Sequence, residues 1–208
     1  LLGWGPGDER EIFSLEETVK LFQLEQMSKK AAIYDTKKLT WMNGQYLSSL
    51  PLEEILPEVK PFFLNAGLVD EAWLNANADY FAQLIDIVRV RVKTLAEIVD
   101  ASEYFFKDVT SYDEKGVAKH FKPEAVELLN ACMNALAADE EFSLQSTEAI
   151  YNKISAEKNI ALGKVIHPTR LALTGRTVSP GMFDVMVLLG KEKTLARMQK
   201  AIDYIKTL

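Results

Sequence analysis

Cysteine and histidine are scarce in this sequence, which contains one cysteine, Cys132, and two histidines, His120 and His167, in 208 residues. A single cysteine excludes a disulfide bond within the chain. We interpret Cys132 as a core residue because it lies in an apolar helical pattern. Two histidines that lie far apart in the sequence predict no structural zinc site. We interpret each histidine as a surface or helix-capping residue rather than as a catalytic base.

Several signatures of enzymes and of membrane proteins are also missing. No run of about 18 apolar residues occurs, so the sequence predicts no membrane-spanning helix and no membrane partner. No glycine-rich phosphate loop follows a strand, and no serine–histidine–acid set is present. We therefore predict no catalytic residue and no metal site, and we expect the chain to bind a partner without catalysing a reaction.

What the chain does contain is typical of an ordinary globular protein with an uneven distribution of charge. Hydrophobic residues make up 48% and charged residues 26% of the sequence, and the net charge is −6. Residues 163–208 carry eight Lys or Arg but three Asp or Glu, whereas the remainder carries 16 and 27. This asymmetry indicates a polyanionic partner for one end of the chain. A C-terminal helix with solvated lysines would give the same count.

The apolar residues recur with helical spacing along almost the whole chain. Residues 88–93 (Val-Arg-Val-Arg-Val-Lys) alternate as a strand would, but they also continue the helical face that begins near Tyr80. No second strand-like run lies nearby to pair with them, so we predict a helix. Thr94 and Glu97 form the pattern of a capping box for the next helix. Arg91 and Lys93 are therefore predicted to lie at a corner between two helices. Trp41 is interpreted as a core residue that could instead stack on bases.

The least generic stretch joins two predicted helices and runs from Leu171 to Phe183. Ser179 is predicted to cap the second helix, with Pro180 at its first position and Gly190 in a left-handed conformation at its end. Arg170 and Arg176 would then lie beside the electropositive start of a helix, which suits an anionic partner. Alternatively, both arginines cap helix ends or pair with surface acids.

These residues also carry a resemblance to a known family. Residues 174–183 (Thr-Gly-Arg-Thr-Val-Ser-Pro-Gly-Met-Phe) and 188–195 (Leu-Leu-Gly-Lys-Glu-Lys-Thr-Leu) resemble the end of bacterial-type glutamyl-tRNA synthetases, which are class I aminoacyl-tRNA synthetases. The segments 1–4 (Leu-Leu-Gly-Trp), 8–13 (Asp-Glu-Arg-Glu-Ile-Phe) and 41–46 (Trp-Met-Asn-Gly-Gln-Tyr) resemble the same family in the same order. The resemblance covers essentially the whole chain.

The resemblance implies an all-α fold in which a helical bundle continues into a two-part α-helical cage that binds the anticodon. It implies three parts: residues 1–60 as the end of the domain that contacts the corner of the tRNA, and residues 61–112 and 113–208 as the two anticodon-binding subdomains. The catalytic domain of the family would lie upstream, so we expect the chain to be a fragment that is inactive alone. ATP and Mg²⁺ would serve the full-length enzyme, and no cofactor is expected in this fragment.

The family's tRNA contacts can be carried over by motif. The resemblance implies that three residues contact the anticodon: Arg91, Arg170 and Met182. It implies, less directly, that three others contact phosphates: Lys93, Lys164 and Arg176. Arg89 is the alternative to Arg91 if the motif is aligned two residues away. An arginine can read a base edge with two parallel hydrogen bonds, which lysine does poorly.

The expected partner is glutamate tRNA, with glutamine tRNA left open, and neither DNA nor a membrane is expected. We expect a cytoplasmic monomer. Ser28 and Lys29 resemble part of the family's ATP-contacting loop, but the order of the motifs places them in a surface loop instead. The alternative functions are a helical module that binds another protein and a small helical enzyme, and the sequence offers no acid–base pair for the latter.

Overall fold

The computed structural model describes residues 3–7, 10–28, 30–31 and 33–208. These residues form α-helices and no strand, which confirms the predicted all-α fold. The α-helices are α1 (Leu15–Leu21), α2 (Thr36–Ser49), α3 (Leu52–Asn65), α4 (Glu71–Ala76), α5 (Ala78–Arg89), α6 (Leu95–Phe106), α7 (Glu114–His120), α8 (Pro123–Ala138), α9 (Leu144–Glu157), α10 (Gly163–Thr174), α11 (Met182–Leu189) and α12 (Lys191–Ile205). A single 3₁₀ turn, Leu24–Gln26, follows α1.

Side-chain caps fix where several of these helices begin. The Ser14 hydroxyl accepts the backbone N–H of Glu17 (3.1 Å), and the Glu17 carboxylate accepts the backbone N–H of Ser14 (3.0 Å), which makes a capping box at the start of α1. Asp35 caps α2 and Ser143 caps α9. Each cap satisfies backbone donors that the first turn of a helix leaves without an intrahelical partner.

The first bundle is built from α3, α5 and α6. α3 packs against both other helices, and α5 packs against α6. Phe63 of α3 is fully buried at the centre and lies edge-on to Phe81 of α5 (5.0 Å between ring centroids) and to Phe106 of α6 (5.7 Å). Burying one such side chain contributes about 1.5–3 kcal/mol, so this cluster fixes the three helices relative to one another. Residue 60 lies inside α3, so the predicted division at that point would cut a helix.

The second bundle contains α7 to α12. α12 packs against α8 and α10, and α10 also contacts α7, α8, α9 and α11. Tyr151 of α9 is fully buried, and its hydroxyl hydrogen-bonds to the Thr169 hydroxyl of α10 (3.0 Å). Cys132 is buried in this core, as predicted. The core is continuous with that of the first bundle, and α5 and α11 touch between them.

The N-terminal part is less thoroughly buried. No residue of α1 is buried, and large apolar side chains such as Leu15 (81% exposed) and Ile33 (88% exposed) face outward. Trp41 is 39% exposed, so its interpretation as a core residue was wrong. The resemblance in segments 1–4 and 8–13, and the reading of Lys29 as a surface residue, fall partly outside the described residues: Leu1, Leu2, Asp8, Glu9 and Lys29.

The turn between α10 and α11 corrects the predicted start of α11. The helix begins at Met182 with Gly181 as its N-cap residue, so Ser179 is not the cap and Pro180 is not the first helical residue. A Cβ atom at residue 181 would lie 2.1 Å from the Asp184 carboxylate, which explains why glycine suits this position. Gly190 ends α11 with a positive φ of 80°, but its ψ of 160° lies outside the left-handed helical region that was predicted.

Gly175 is the residue that adopts the left-handed helical conformation, with φ 72° and ψ −1°, and it ends α10. A Cβ atom here would lie 2.7 Å from the Ser111 carbonyl oxygen. The Gly175 carbonyl accepts the backbone N–H of Asp113 (2.8 Å). The end of α10 is therefore held directly against the loop that leads into α7.

Candidate nucleic-acid interface

The corner between α5 and α6 presents Arg91 to solvent. The backbone N–H of Arg91 donates to the Val88 carbonyl (2.9 Å), which closes the last turn of α5. Thr94 then caps α6 by accepting the Glu97 N–H (3.3 Å), while the Glu97 carboxylate accepts the N–H of Lys93 (2.7 Å). Arg91 is exposed, and its side chain forms no ion pair with any residue that the structure describes. The predicted helix–helix corner is confirmed, but α5 ends at Arg89, so residues 90–93 lie in the turn and not in the helix that was predicted.

Arg89 has a different environment although it lies only two residues away. Its guanidinium donates to the carbonyls of Leu50 (2.5 Å) and Leu47 (3.1 Å), which lie at the C-terminal end of α2. It also pairs with Asp86 one turn earlier in α5 (2.9 Å). Arg89 therefore joins α2 to α5. Of the two arginines that the motif left as alternatives, Arg91 is the one whose side chain is available to a ligand.

Arg170 is held in place by the residue that was predicted to cap α11. Its Nε donates to the Ser179 hydroxyl (3.0 Å), and that hydroxyl donates to the Pro180 carbonyl (2.9 Å). Ser179 thus fixes the plane of the guanidinium. Arg170 is half-buried, and no carboxylate in the described part of the chain pairs with it.

Arg91 and Arg170 lie within electrostatic range of each other although 79 positions separate them in the sequence. Burial lowers the pKa of Arg170, and the positive charge of Arg91 lowers that pKa further. Two like charges without an acidic partner repel each other in the free protein, and an anion bound between them would remove that repulsion. The structure therefore brings together the two arginines that the sequence singled out, one from each bundle.

The remaining predicted contacts have varied surroundings. Lys93 and Lys164 are exposed, as a phosphate contact requires. The Lys93 carbonyl accepts a hydrogen bond from the Asn43 amide, which ties the corner to α2. Met182 is only 3% exposed and belongs to the core, so it cannot touch a base without a local rearrangement. It packs at the start of α11, behind the turn that contains Ser179.

Arg176 is engaged within the protein. Its guanidinium makes two hydrogen bonds to the Asp100 carboxylate of α6 (2.8 and 3.2 Å) and lies 3.7 Å from Glu103. This pairing lowers the pKa of Asp100 and raises that of Arg176. The geometry matches the alternative interpretation, in which this arginine pairs with surface acids. It joins α6 to the turn after α10.

Arg197 of α12 is a structural arginine that the sequence analysis did not single out. It is 7% exposed and donates to the carbonyls of Leu173 (2.6 Å), Tyr104 (2.7 Å) and Lys107 (3.0 Å). These carbonyls lie at the C-terminal ends of α10 and α6, where helices leave acceptors free and where a positive charge is favourable. A signal was present, because Arg197 shares the apolar face of α12 with Ala201.

These contacts change the meaning of the basic C-terminal segment. Six of its eight cations bond within the described protein. Lys191 donates to the Asp139 carbonyl (2.7 Å), Lys200 donates to the Val109 carbonyl (2.8 Å) and Lys206 lies 3.8 Å from the Asp203 carboxylate, in addition to the contacts of Arg170, Arg176 and Arg197 given above. The charge count alone therefore overstated the basic surface. What favours an anionic ligand is the placement of Arg170 and Arg91.

A groove of about 390 Å³ lies between α6 and the turn after α10. Its two cations are already paired, Arg176 with Asp100 and Lys107 with Glu103 (2.8 Å). Within the described ranges, no cluster of three His, Cys, Asp or Glu side chains is placed to hold a metal ion. No helix there is both long enough and apolar enough to span a membrane. The candidate site is therefore an open surface rather than a cavity.

Comparison with known proteins relates most of the chain to one family model. The family model described as "Anticodon binding domain" matches residues 54–202, which contain both Arg91 and Arg170. The glutamate–tRNA ligase of Moorella thermoacetica is 47% identical over 207 residues, covering 99% of this chain and 42% of that protein. The glutamate–tRNA ligase of Desulforudis audaxviator is 47% identical over 208 residues, with the same coverage. The chain thus spans about two fifths of the length of these relatives.

Solved structures show the same likeness. The crystal structure of a glutamate tRNA ligase from Elizabethkingia meningosepticum in complex with its amino acid superimposes with a TM-score of 0.84 at 30% identity. It covers 99% of this chain and 39% of that one. The glutamate–tRNA synthetase from Elizabethkingia anophelis gives a TM-score of 0.81 at 30% identity, covering 98% of this chain and 39% of that one. Both confirm that the predicted fold extends over the whole chain.

Proposed function

This chain belongs to the anticodon binding domain family, in the form that glutamate–tRNA ligases contain, and on that premise we propose that it binds the anticodon loop of glutamate tRNA. In the full-length protein this binding would support ATP-dependent glutamylation of the tRNA, with Mg²⁺ as the metal. We propose that the chain's own part is recognition. No residue of the chain is assigned to the chemical step.

The observation that carries the proposal is that Arg91 and Arg170 lie within electrostatic range of each other, and that neither pairs with a carboxylate among the described residues. Anticodon loops offer unstacked bases, which proteins read through hydrogen bonds to base edges and through stacking on guanidinium planes. Arg91 lies on the exposed corner between α5 and α6, so its guanidinium group can reach a base edge and donate two parallel hydrogen bonds to it. Arg170 is held by Ser179 and can present the remainder of its guanidinium to the same loop.

Phosphate contacts would set the affinity and the register of the tRNA. We assign this role to Lys93 and Lys164, which are both exposed and lie two residues after Arg91 and six residues before Arg170. Arg176 could join them only by giving up its bond to Asp100. For Met182 we propose a supporting role, in which its buried side chain fixes the start of α11 beneath the turn that orients Arg170.

We further propose that the two anticodon-binding subdomains meet at this surface, the first contributing Arg91 and the second Arg170. The predicted division between residues 112 and 113 falls in the loop between α6 and α7, which supports it. We propose a monomer that acts in the cytoplasm, where tRNA is charged. One chain supplies both arginines, so the site needs no second copy.

The test is a salt series of binding titrations with glutamate tRNA, glutamine tRNA and an unrelated tRNA. We expect tighter binding to glutamate tRNA and an affinity that falls as the salt concentration rises. Arg91→Gln should weaken discrimination at one anticodon base, where a two-bond contact contributes about 1–3 kcal/mol. If Arg91→Gln weakens all three tRNAs equally, Arg91 contacts phosphate instead. If the unaltered chain binds none of them, the proposed function is wrong.

A further inference from the structure

The two histidines of the chain stack on each other. His120 ends α7 and His167 lies in the middle of α10, and their rings are 4.8 Å apart at an angle of 24°. They were interpreted separately as surface or capping residues, but the packing of α7 against α10 brings them together. His167 is exposed and His120 is partly exposed, so the pair is accessible to solvent and to a ligand.

The pair continues the line of positive groups that leads to the arginine site. Lys164, His167 and Arg170 are spaced by three residues, so they follow one another along one side of α10. From Lys164 to Arg170 this line is about 9 Å long at 1.5 Å per residue. Lys119 of α7 acts electrostatically on both histidines, and Arg91, at the corner of the first bundle, acts on Arg170.

The electrostatic surroundings of the pair contain cations. Burial lowers the pKa of His120, and His167 and Lys119 lower it further. Burial likewise lowers the pKa of His167, with additional effects from Arg170 and Lys119. No carboxylate among the described residues is paired with either ring. In the free protein the pair is therefore neutral at pH 7, and protonation is opposed by its neighbours.

We propose that the stacked pair of His120 and His167, flanked by Lys119 and Lys164, is a proton-linked contact for the phosphate backbone of RNA and extends the arginine site along α10. This inference rests on the proposed function, since it concerns the same ligand. A phosphate placed against the pair supplies the negative charge that the site lacks. Each ring can then take up a proton and donate an N–H to a phosphate oxygen. Binding of RNA and binding of protons favour each other.

The chain offers an unusually direct measurement, because it contains only two histidines and both belong to the pair. The imidazole ¹H signals of the 208-residue chain would be titrated between pH 5.5 and 8, with and without an RNA hairpin that carries the anticodon stem and loop of glutamate tRNA. We expect the RNA to raise the pKa of both histidines. A rise of one unit in the pKa of one histidine corresponds to about a tenfold gain in RNA affinity on acidification.

Calorimetry gives the second readout. RNA binding near pH 6.5, measured in two buffers of different ionisation enthalpy, should show net uptake of protons by the protein–RNA complex. His167→Gln keeps a polar side chain but cannot be protonated, so it should reduce the proton uptake and flatten the pH dependence of affinity. The control is Lys153→Gln on α9, an exposed cation outside the line, which should leave the uptake intact.

Each outcome separates the two proposals. If the RNA binds and Arg170→Gln weakens it, while the histidine signals and the proton balance stay unchanged, the histidine inference is overturned and the anticodon function stands. If the signals move equally with an unrelated single-stranded RNA, the pair is confirmed as a contact to the backbone rather than to bases. If the hairpin does not bind at all, both proposals are wrong.

Discussion

Two regions of this protein contain arginines that differ mainly in what surrounds them. At the joint between α6 and α10, the guanidinium groups of Arg197 and Arg176 donate hydrogen bonds to the protein itself, Arg197 to carbonyls and Arg176 to a carboxylate. At the open surface, Arg91 has no ion pair with a described residue, and Arg170 has a single hydroxyl, that of Ser179. The joint holds the two bundles together, and the surface is left with unbalanced charge that an anionic ligand can neutralise. Residue type alone does not distinguish the two roles.

The largest expected effect is at the joint. Arg197→Met removes the donors to three carbonyls, and the unpaired acceptors should lower the free energy of unfolding by about 2–4 kcal/mol. Chemical denaturation measures this. Arg197→Lys, which can still reach one or two carbonyls, should recover part of the loss. If the free energy of unfolding of the methionine variant changes by less than about 0.5 kcal/mol, water satisfies the carbonyls and Arg197 does not hold α6 and α10 together.

At the open surface we expect an effect on binding instead of stability. Arg170→Gln should weaken binding of the anticodon hairpin by about 1–3 kcal/mol, or roughly 5- to 150-fold, because a guanidinium contact to a base or phosphate is lost. Its free energy of unfolding should change little, since only the bond to Ser179 is broken. The comparison fails if this variant loses as much stability as the change at Arg197.

Arg89 and Arg91 lie two residues apart, so they allow the same comparison between two arginines of one short segment. Arg89→Gln breaks the bonds to the Leu47 and Leu50 carbonyls and should cost about 1–2 kcal/mol of stability. Arg91→Gln should leave stability nearly unchanged. RNA binding should show the reverse order. Denaturation and RNA titration of both variants test this. If Arg89→Gln weakens RNA binding more than Arg91→Gln does, Arg89 is the residue that contacts the RNA.

The smallest effect is expected for the exposed ion pair of the joint. Arg176→Gln should cost no more than about 1 kcal/mol, because Asp100 is largely solvated and exposed pairs are weak. The lowered pKa of Asp100 means that this contribution is present above about pH 3.8 and is lost as the pH falls through the lowered value. Urea titrations at pH 7 and pH 3 should therefore show a smaller deficit for the variant at the lower pH.

The sequence predicted well where the physics is local. The cap of α6 at Thr94 was identified because a cap involves residues within one turn. Ser179 misled the prediction, because its hydroxyl is used by Arg170 nine residues earlier, and Gly181 leaves room for the Asp184 carboxylate. The sequence shows that a hydroxyl could cap a helix, but it does not show that a distant side chain bonds to that hydroxyl instead.

The site itself was predicted only in part. Arg91 and Arg170 followed from the motif, but the choice between Arg91 and Arg89 needed the contact of Arg89 with the end of α2. Arg197 donates hydrogen bonds to carbonyls that lie 24, 90 and 93 residues away, and no local sequence pattern predicts such distant partners. The histidine pair has the same character, since it forms only when α7 packs against α10.

The position of Arg197 has a consequence for how the molecule can be divided. One side chain closes the last turn of a helix in each bundle, and the apolar interior runs between them without a break. Melting should therefore be a single cooperative transition for α3 to α12 rather than two. Cutting the chain in the loop between α6 and α7 would give two pieces that complement each other when mixed, and neither would be a complete domain on its own.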